Sequence, residues 1–488
     1  MKHIKYLIIM LTACSISSCS DEFLNPLPDS VIVEDTFFKT DADVLTGIIG
    51  IYDALQGVNS NTESNITRSN RGVQFEHLLT EHRSDNTRNQ TLEGSKADFH
   101  RYLVNPDNVE SEDYYQSMYS VIFRANNILD FIEVANEENQ AKYAGEAKFL
   151  RAYAYFNLVR LFGDIPLVTT VINPGDDESL YTRVAVVQIY EQIVGDLQEA
   201  VNTLDNAYKS RASKAAAQGL LAKVYLTQPT RNYTGAAQLC QDIISSAAFD
   251  LENNFRDVFY SELNDEIIFA IQYQTGNALE SQSFSAEFTS TIRQGSDDGQ
   301  NIVNDNLIAD FNIYGGNRTS ESYYEFPTRS EVIKFLPDGS NFSVTPPTYG
   351  DNARNAGNDY IALRYADVLL MHAEAILAGG TETTNSAAID SYMKVRVRAG
   401  FDALADRPSI LTRDLLLVER RVELAFENQR FYDLLRFGVA DAILSAHAAD
   451  LGYLDYNTRK LLLPIPAREI NLSPLVNGQR LLTQNPGY

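Results

Sequence analysis

The sequence predicts a mainly α fold, with paired amphipathic helices in its first half and a long loop-rich stretch before the last helices. Three observations carry this. Apolar side chains recur at the three- and four-residue spacing of a helix face in segment after segment. Small residues (Ala152, Ala154, Ala215, Ala216, Ala217 and Ala222) stand where neighbouring helix backbones must approach closely. Residues 250–360 break the pattern, being rich in Asn, Gly, Ser, Asp and Tyr with only short strand-like runs.

The chain starts with an export signal over residues 1–18. Lys2 and Lys5 give the positive start, Tyr6 to Ala13 a short apolar run, and Ser15, Ser17 and Ser18 small residues before a cleavage point. The run is far shorter than the roughly 20 apolar residues of a membrane-spanning helix. Cys19 follows directly and is the expected lipid-attachment residue of a bacterial lipoprotein, with acyl chains holding a soluble body on a membrane surface. Leu11-Thr12-Ala13-Cys14 is a second candidate. Cys19 leaves the apolar run at full length and is followed by acidic Asp21-Glu22. Residues 19–40, marked by Pro26 and Pro28, read as a tether.

Helices are expected next. Residues 42–57 place Val44, Ile48, Ile51, Tyr52 and Leu55 on one side. Residues 112–134 place Tyr115, Met118, Tyr119, Ile122, Ala125, Asn126 and Leu129 on one face. Residues 141–162 stop at Gly163, followed by Asp164-Ile165-Pro166. Residues 186–207, 213–228 (with Ser213 as N-cap) and 234–247 complete a half, 41–250, that reads as tetratricopeptide-like helix pairs without the strict repeat consensus. Residues 251–362 form the loop-rich region, with strand-like runs at Ile267–Ile271 and Val332–Phe335. Such a region is where function is expected. Helices return at 363–379, 385–399 and 412–437, before a proline-rich tail that completes the unit 363–488.

Composition excludes some functions. There are 65 acidic and 40 basic residues, a net charge of −25, and removal of the signal takes two more positive charges. Nucleic acid and anionic membrane surfaces repel such a chain, so the lipid must do the anchoring. Only Cys240 lies in the body, so no intramolecular disulfide forms there, and it reads as a buried inert thiol. With no Trp but 27 Tyr and 24 Phe, any aromatic platform is built from those two.

Catalytic patterns are missing from the sequence: no phosphate loop, no Gly-x-Ser-x-Gly elbow, no His-Glu-x-x-His. His77, Glu81 and His82 stand close but lack further ligands for a metal. Asp297-Asp298-Gly299-Gln300-Asn301 reads as a solvated turn, incomplete as a calcium loop. Glu419, Arg420, Glu423, Glu427 and Arg430 fall at helical spacings and read as structural ion pairs, while Arg151 and Arg160 read as helix fasteners. No cofactor and no metal are expected.

Saccharide recognition needs aromatic faces for sugar rings, and amides, carboxylates or guanidinium forks for hydroxyls. Two stretches mix these. Residues 59–102 carry Asn70, Arg71, Phe75, Asp85, Asn86, Arg88, Phe99 and Tyr102. Residues 273–326 carry Tyr273, Phe284, Arg293, Tyr314, Asn317, Arg318, Tyr323 and Tyr324. The candidate ligand-binding residues are Asn70, Arg71, Phe75, Asp85, Tyr273, Phe284, Tyr314, Arg318, Tyr323 and Tyr324. A local cluster of Arg68, Arg71, Arg83 and Arg88 is the one feature favouring an anionic ligand.

Seven stretches together resemble the SusD/RagB family. They are Cys19–Leu24; Glu146–Tyr153 continuing to Leu161–Leu167; Lys214-Ala215-Ala216 through Leu221–Leu226; Leu363–Leu370 with Ala373-Glu374-Ala375; Val395–Gly400; Glu419–Glu427 with Arg430; and Leu463–Pro466 to Asn485–Tyr488. They cover nearly the whole chain in the family's order. The resemblance implies a SusD-like fold and a lipid-anchored protein on the outer face of the outer membrane. It further implies that the protein binds oligo- or polysaccharide without cleaving it and delivers it to a SusC-like TonB-dependent transporter. Capture of peptide or another nutrient by the same architecture, a surface glycosidase, and a purely structural interaction protein are the alternatives.

Overall fold

The computed structural model describes residues 37–59, 70–172, 178–288, 301–349 and 354–488. The signal over 1–18, Cys14 and Cys19, Arg68, Arg293 and residues 297–300 of the acidic turn lie outside them, as does nearly all of the tether.

The first half is built from α1 (Asp41–Gln56), α2 (Val109–Asp130), α3 (Glu137–Phe162), α4 (Val186–Thr203), α5 (Lys214–Thr227) and α6 (Tyr233–Ser245). Caps set several starts. Thr40 accepts from the Asp43 N–H while the Asp43 carboxylate accepts from the Thr40 N–H at 2.8 Å, a reciprocal box that fixes α1. Asn108 caps α2, and Ser213 caps α5 through the Ala216 N–H at 3.1 Å. Gly163, at φ 73°, ends α3.

α3 is the central post, buried almost all round from Phe149 to Phe162. Arg151 fastens it. Its guanidinium bonds both Asp196 oxygens of α4 at 2.8 Å and Asn126 Oδ1 of α2 at 2.8 Å. Arg160 instead lies between the rings of Phe156 and Tyr432, at 3.8 and 3.5 Å, linking α3 to the C-terminal part. Cys240 is buried on α6, and burial pushes its thiol far up, out of the reactive range.

A four-stranded antiparallel sheet joins the two halves: β1 (Thr87–Arg88) from the first, then β3 (Ile302–Val303), β5 (Arg329–Val332) and β4 (Tyr323–Phe326) from the second, in that order. A separate pair joins β2 (Ile267–Ile271) to β6 (Tyr360–Arg364). Then come α7 (Tyr365–Leu377), α8 (Ser386–Arg398), α9 (Arg413–Glu423), α10 (Arg430–Arg436) and α11 (Ala440–Asp450).

Three expectations shift here. Residues 363–364 finish a strand before α7 begins. Helix 412–437 is two helices, because Phe426 (φ 68°) and Asn428 (φ 62°) turn the backbone left-handed between them. The strand expected at Val332–Phe335 lies at Arg329–Val332, where it pairs with β4 through a two-residue turn at 327–328.

The acidic and basic residues of α9 form a buried ionic core. Arg364 bonds Glu266, Glu423 and Glu427 at 2.6–2.7 Å. Lys334 bonds Glu427 at 2.6 Å and the Ala425 carbonyl at 3.0 Å. Arg420 spans Asp433 at 2.9 and 3.0 Å and Asp367 at 2.9 Å. Among the described residues no helix is long and apolar enough to cross a membrane.

Candidate functional site

The four-stranded sheet brings the two nominated stretches together: Thr87 pairs with Val303 and Arg88 with Ile302. It does not bring all their side chains to one surface. Burial takes most of them inside.

Arg71 is buried, paired with Glu110 and, at 3.1 Å, with Asp113, and its guanidinium lies 4.3 Å over the buried Phe75 ring. Asp85 is gripped by Arg430 at 2.8 and 3.0 Å and by Arg421 at 2.9 Å. Burial alone would raise its carboxyl; the two guanidinium groups outweigh that and hold it well below the usual range. Tyr273 donates to the Gln56 carbonyl at 2.8 Å, and Phe284 packs on Tyr273, Phe288 and Phe335.

Arg318 is fully buried. It bonds Glu419 at 2.7 Å, Glu423 at 2.6 Å, and the Gly315 and Tyr314 carbonyls at 2.9 and 2.7 Å. These five residues, with Phe75, present no face to a ligand, and this corrects their nomination. The same applies to Asn86, Phe99 and Tyr102, all buried. Arg71 and Arg83 turn inward, so the expected basic cluster does not form there: Arg83 lies 4.2 Å over Phe431. Asn70 is half-buried at φ 75°, Tyr314 half-buried against the core, and Arg88 half-exposed on β1. Arg88 sits at the opposite sheet edge from Tyr324, roughly 15 Å away across three strand spacings. His77 and His82 meet edge to face at 5.4 Å in the interior.

The open chemistry lies on β4. Tyr323 and Tyr324 point to opposite faces, as strand geometry requires. Tyr323 is buried against Phe311, and burial together with Glu325 pushes its hydroxyl up to about 12. Tyr324 and Phe326 share the other face, half-exposed, with ring centroids 4.7 Å apart. Tyr260, Phe342 and Tyr349, also half-exposed, pack with them around Ile333 and Leu336. Beside this aromatic row runs a groove of about 480 Å³ lined by Arg256, Gly316, Thr319, Glu321, Tyr324, Phe342 and Thr345, among others. Arg256 lies 4.2 Å over the Phe342 ring and bonds Glu321 at 2.6 Å.

The groove is held from below. Arg318 ties the turn at 314–318 to α9, and Ser322 Oγ donates to the Arg318 carbonyl at 2.8 Å. Gly316 has φ 58°, and a Cβ there would sit 2.1 Å from the Ala399 carbonyl oxygen, so this position admits only glycine.

Of the nominated residues Tyr324 stands at this groove, Tyr323 is buried on the other face of β4, and Arg256, Glu321, Phe342 and Thr345 were not nominated. All four lie within the loop-rich region 251–362, but the narrower window 273–326 excluded Arg256, Phe342 and Thr345. The signal was present: a lone Phe in Asn341-Phe342-Ser343, just before Pro346-Pro347, is an aromatic on a polar turn rather than part of an apolar run.

Such a surface offers ring faces, a guanidinium–carboxylate pair and hydroxyls side by side. Among the described residues no group of three or more His, Cys, Asp or Glu is placed to hold a metal. Residues 22–226 match a family model described as "Starch-binding associating with outer membrane", and residues 310–488 match one described as "SusD family". "SusD-like protein P2" of Formosa agariphila is 28% identical, covering 99% of each chain. A SusD superfamily protein of Parabacteroides distasonis is 26% identical with TM-score 0.73, covering 92% of this chain and 99% of that one. A surface glycan-binding protein of Bacteroides thetaiotaomicron, solved in complex with laminarihexaose, shares the fold at 21% identity and TM-score 0.73, covering 91% and 99%.

Proposed function

The chain belongs to the SusD/RagB family, and from that premise we propose that it is a lipid-anchored glycan-binding protein of the outer-membrane surface. It captures oligosaccharide in the Tyr324–Phe342 groove and delivers it to a SusC-like TonB-dependent transporter. The observation that carries the reading is the half-exposed aromatic row flanked by the Arg256–Glu321 pair. Stacking needs ring faces free on one side, and hydroxyl recognition needs a fork and a carboxylate nearby. The groove supplies both beside a wall fixed by the ionic core. Its mechanism is binding and release, with Cys19 as the lipid-bearing residue.

The test is calorimetric titration of the mature chain with laminarihexaose and a panel of other neutral oligosaccharides, with product detection alongside. Binding without turnover, weakened by Phe342→Ala, supports the reading; steady hydrolysis, or binding indifferent to that change, overturns it. β4 lies at an edge of its sheet, and this favours a second reading in which an extended peptide pairs along that edge. Peptide binding with no saccharide binding would select it.

A further inference from the structure

The helical half carries a groove larger than the one beside β4, about 680 Å³ against about 480 Å³, and the two share no lining residue. Both volumes fall in the range of sites that hold small ligands. One side of the larger groove is a face of α4, where Val187, Glu191, Val194, Gly195 and Gln198 recur at helical spacing over roughly 16 Å of helix. The other side is the end of α5, with Tyr225 and Gln228, and the turn 229–232 before α6.

Gly195 is the odd residue on this face. Glycine weakens the interior of a helix relative to alanine. Other helical glycines have a steric reason: a Cβ at Gly145 of α3 would sit 2.1 Å from Thr203 Oγ1, and one at Gly219 of α5 2.4 Å from Leu363 Cδ2. A Cβ at Gly195 would meet nothing within 4 Å. Packing among the described residues therefore does not call for a bare backbone there, whereas a ligand lying close on the helix does.

The polar groups around Gly195 reach solvent and have capacity to spare. Gln198 and Asn232 are exposed, Tyr225 and Gln228 half-buried. Tyr225 Oη accepts from Gln198 Nε2 at 3.1 Å, and its own proton has no acceptor among the described residues. Gln228 donates to the Thr230 carbonyl at 2.8 Å and Asn232 accepts from the Gly235 N–H at 2.9 Å, which leaves Gln228 Oε1 and Asn232 Nδ2 open. Glu191 and Arg231 are the charged lining residues and cancel, and Arg231 already donates to the Leu226 and Arg436 carbonyls. Uncharged groups that donate and accept side by side suit hydroxyls. A helix face has no unpaired edge along which an extended peptide could add.

We propose that this groove is a second, separate oligosaccharide site. It takes a neutral chain laid along α4, with an apolar sugar face on the bare backbone of Gly195 and hydroxyls bonded to Tyr225, Gln198 and Gln228. The site goes beyond the reading of the β4 groove and does not depend on it.

The mature chain and its variants are titrated calorimetrically with laminarihexaose, maltohexaose, cellohexaose, xylohexaose and mannohexaose. Gly195→Leu puts a good helix former into open space, so its urea midpoint holds or rises. At least one hexasaccharide still binds Phe342→Ala, in which the β4 groove is damaged, and adding Gly195→Leu weakens that binding by about tenfold or more. Adding Tyr225→Phe instead weakens it about fivefold, as loss of one hydrogen bond does. No hexasaccharide bound by Phe342→Ala, or binding there untouched by Gly195→Leu, overturns the proposal. A tryptic digest of casein that binds at Gly195 where no hexasaccharide does makes this a peptide groove and also overturns it. Binding lost with Gly195→Leu but indifferent to Phe342→Ala removes the β4 groove and leaves this site standing, and the reverse removes this site alone.

Discussion

The ionic core around Arg364 and the groove around Arg256 use the same residue types to opposite ends. Arg364 is enclosed, its guanidinium bonded to Glu266, Glu423 and Glu427, with the Phe255 and Phe259 rings 5.9 and 5.8 Å away. Arg256 also has a carboxylate and a ring, Glu321 and Phe342, but both stand half-exposed. A guanidinium–carboxylate–aromatic set is a brace when every face is covered and a contact surface when one face stays open. The two regions are also joined. Arg318 reaches from the turn under the groove to Glu419 and Glu423 of the core, so the rigid region positions the open one.

The largest expected effect comes from breaking the core. Arg364→Met leaves three buried carboxylates short of a partner, and unfolding in urea should register a loss of about 3–5 kcal/mol. A loss under about 1 kcal/mol would mean that the core behaves like a surface pair, and the distinction would fail.

A third kind of site lies between these two: buried polar groups without partners. Both ring nitrogens of His100 are unbonded among the described residues, and its ring faces His82 at 6.2 Å and Tyr453 at 5.6 Å. Burial first, then the neighbouring His82, holds its pKa down to about 2. The unfolded chain takes up a proton here below about pH 6.5, while the folded chain refuses it. Stability is therefore lost as pH falls from about 6.5 towards 2, by about 1.4 kcal/mol per pH unit from this residue. Glu81 and Asp359, raised mainly by burial to about 7, act oppositely between pH 7 and their unfolded values near 4, and flatten the total. His100→Gln isolates the histidine: its stability between pH 6 and 4.5 should fall less steeply than that of the parent, by about that slope. Parallel curves would show that His100 is protonated in the fold.

The groove itself should respond in affinity and not in stability. Tyr324→Ala removes one half-exposed ring, and oligosaccharide binding should weaken by about 1 kcal/mol, roughly fivefold. The urea midpoint should stay almost unchanged, because one face of that ring is already in water. A large stability loss with unchanged binding would place Tyr324 with the core.

This comparison explains what the sequence made legible. The helices were readable because their signals are local: an apolar face, Ser213 before α5, Gly163 after α3. That Arg151 and the α9 carboxylates serve as structural ion pairs was readable from their places on helices, but their partners were not: Arg151 reaches Asp196 and Asn126, and Glu419 and Glu423 reach Arg318, Arg364, Arg396 and Arg398 on other elements. The site was readable only as a region. Arg71, Asp85 and Arg318 have the composition of a sugar site, but their partners Asp113, Arg430 and Glu423 lie tens to hundreds of residues away. Whether a guanidinium is already occupied is a long-range fact. Tyr323 and Tyr324 are neighbours with opposite fates because a strand alternates its faces, and only the pairing with β5 decides which face is covered.

The smallest effect is the most discriminating. Arg256→Lys keeps the positive charge beside Glu321 but loses the planar group lying on Phe342, and the two side chains are not interchangeable at a stacked position. Folding stability should change by about 0.5 kcal/mol or less, since the pair is half-exposed and solvent screens it. Oligosaccharide affinity should still fall a few-fold, because the plane keeps the Phe342 ring oriented and offers a fork to hydroxyls. If affinity is untouched, the charge alone matters and Arg256 does at the surface what Lys334 does in the core. If stability falls as far as for Arg364→Met, the groove arginine is a brace after all, and an open face does not separate the two regions.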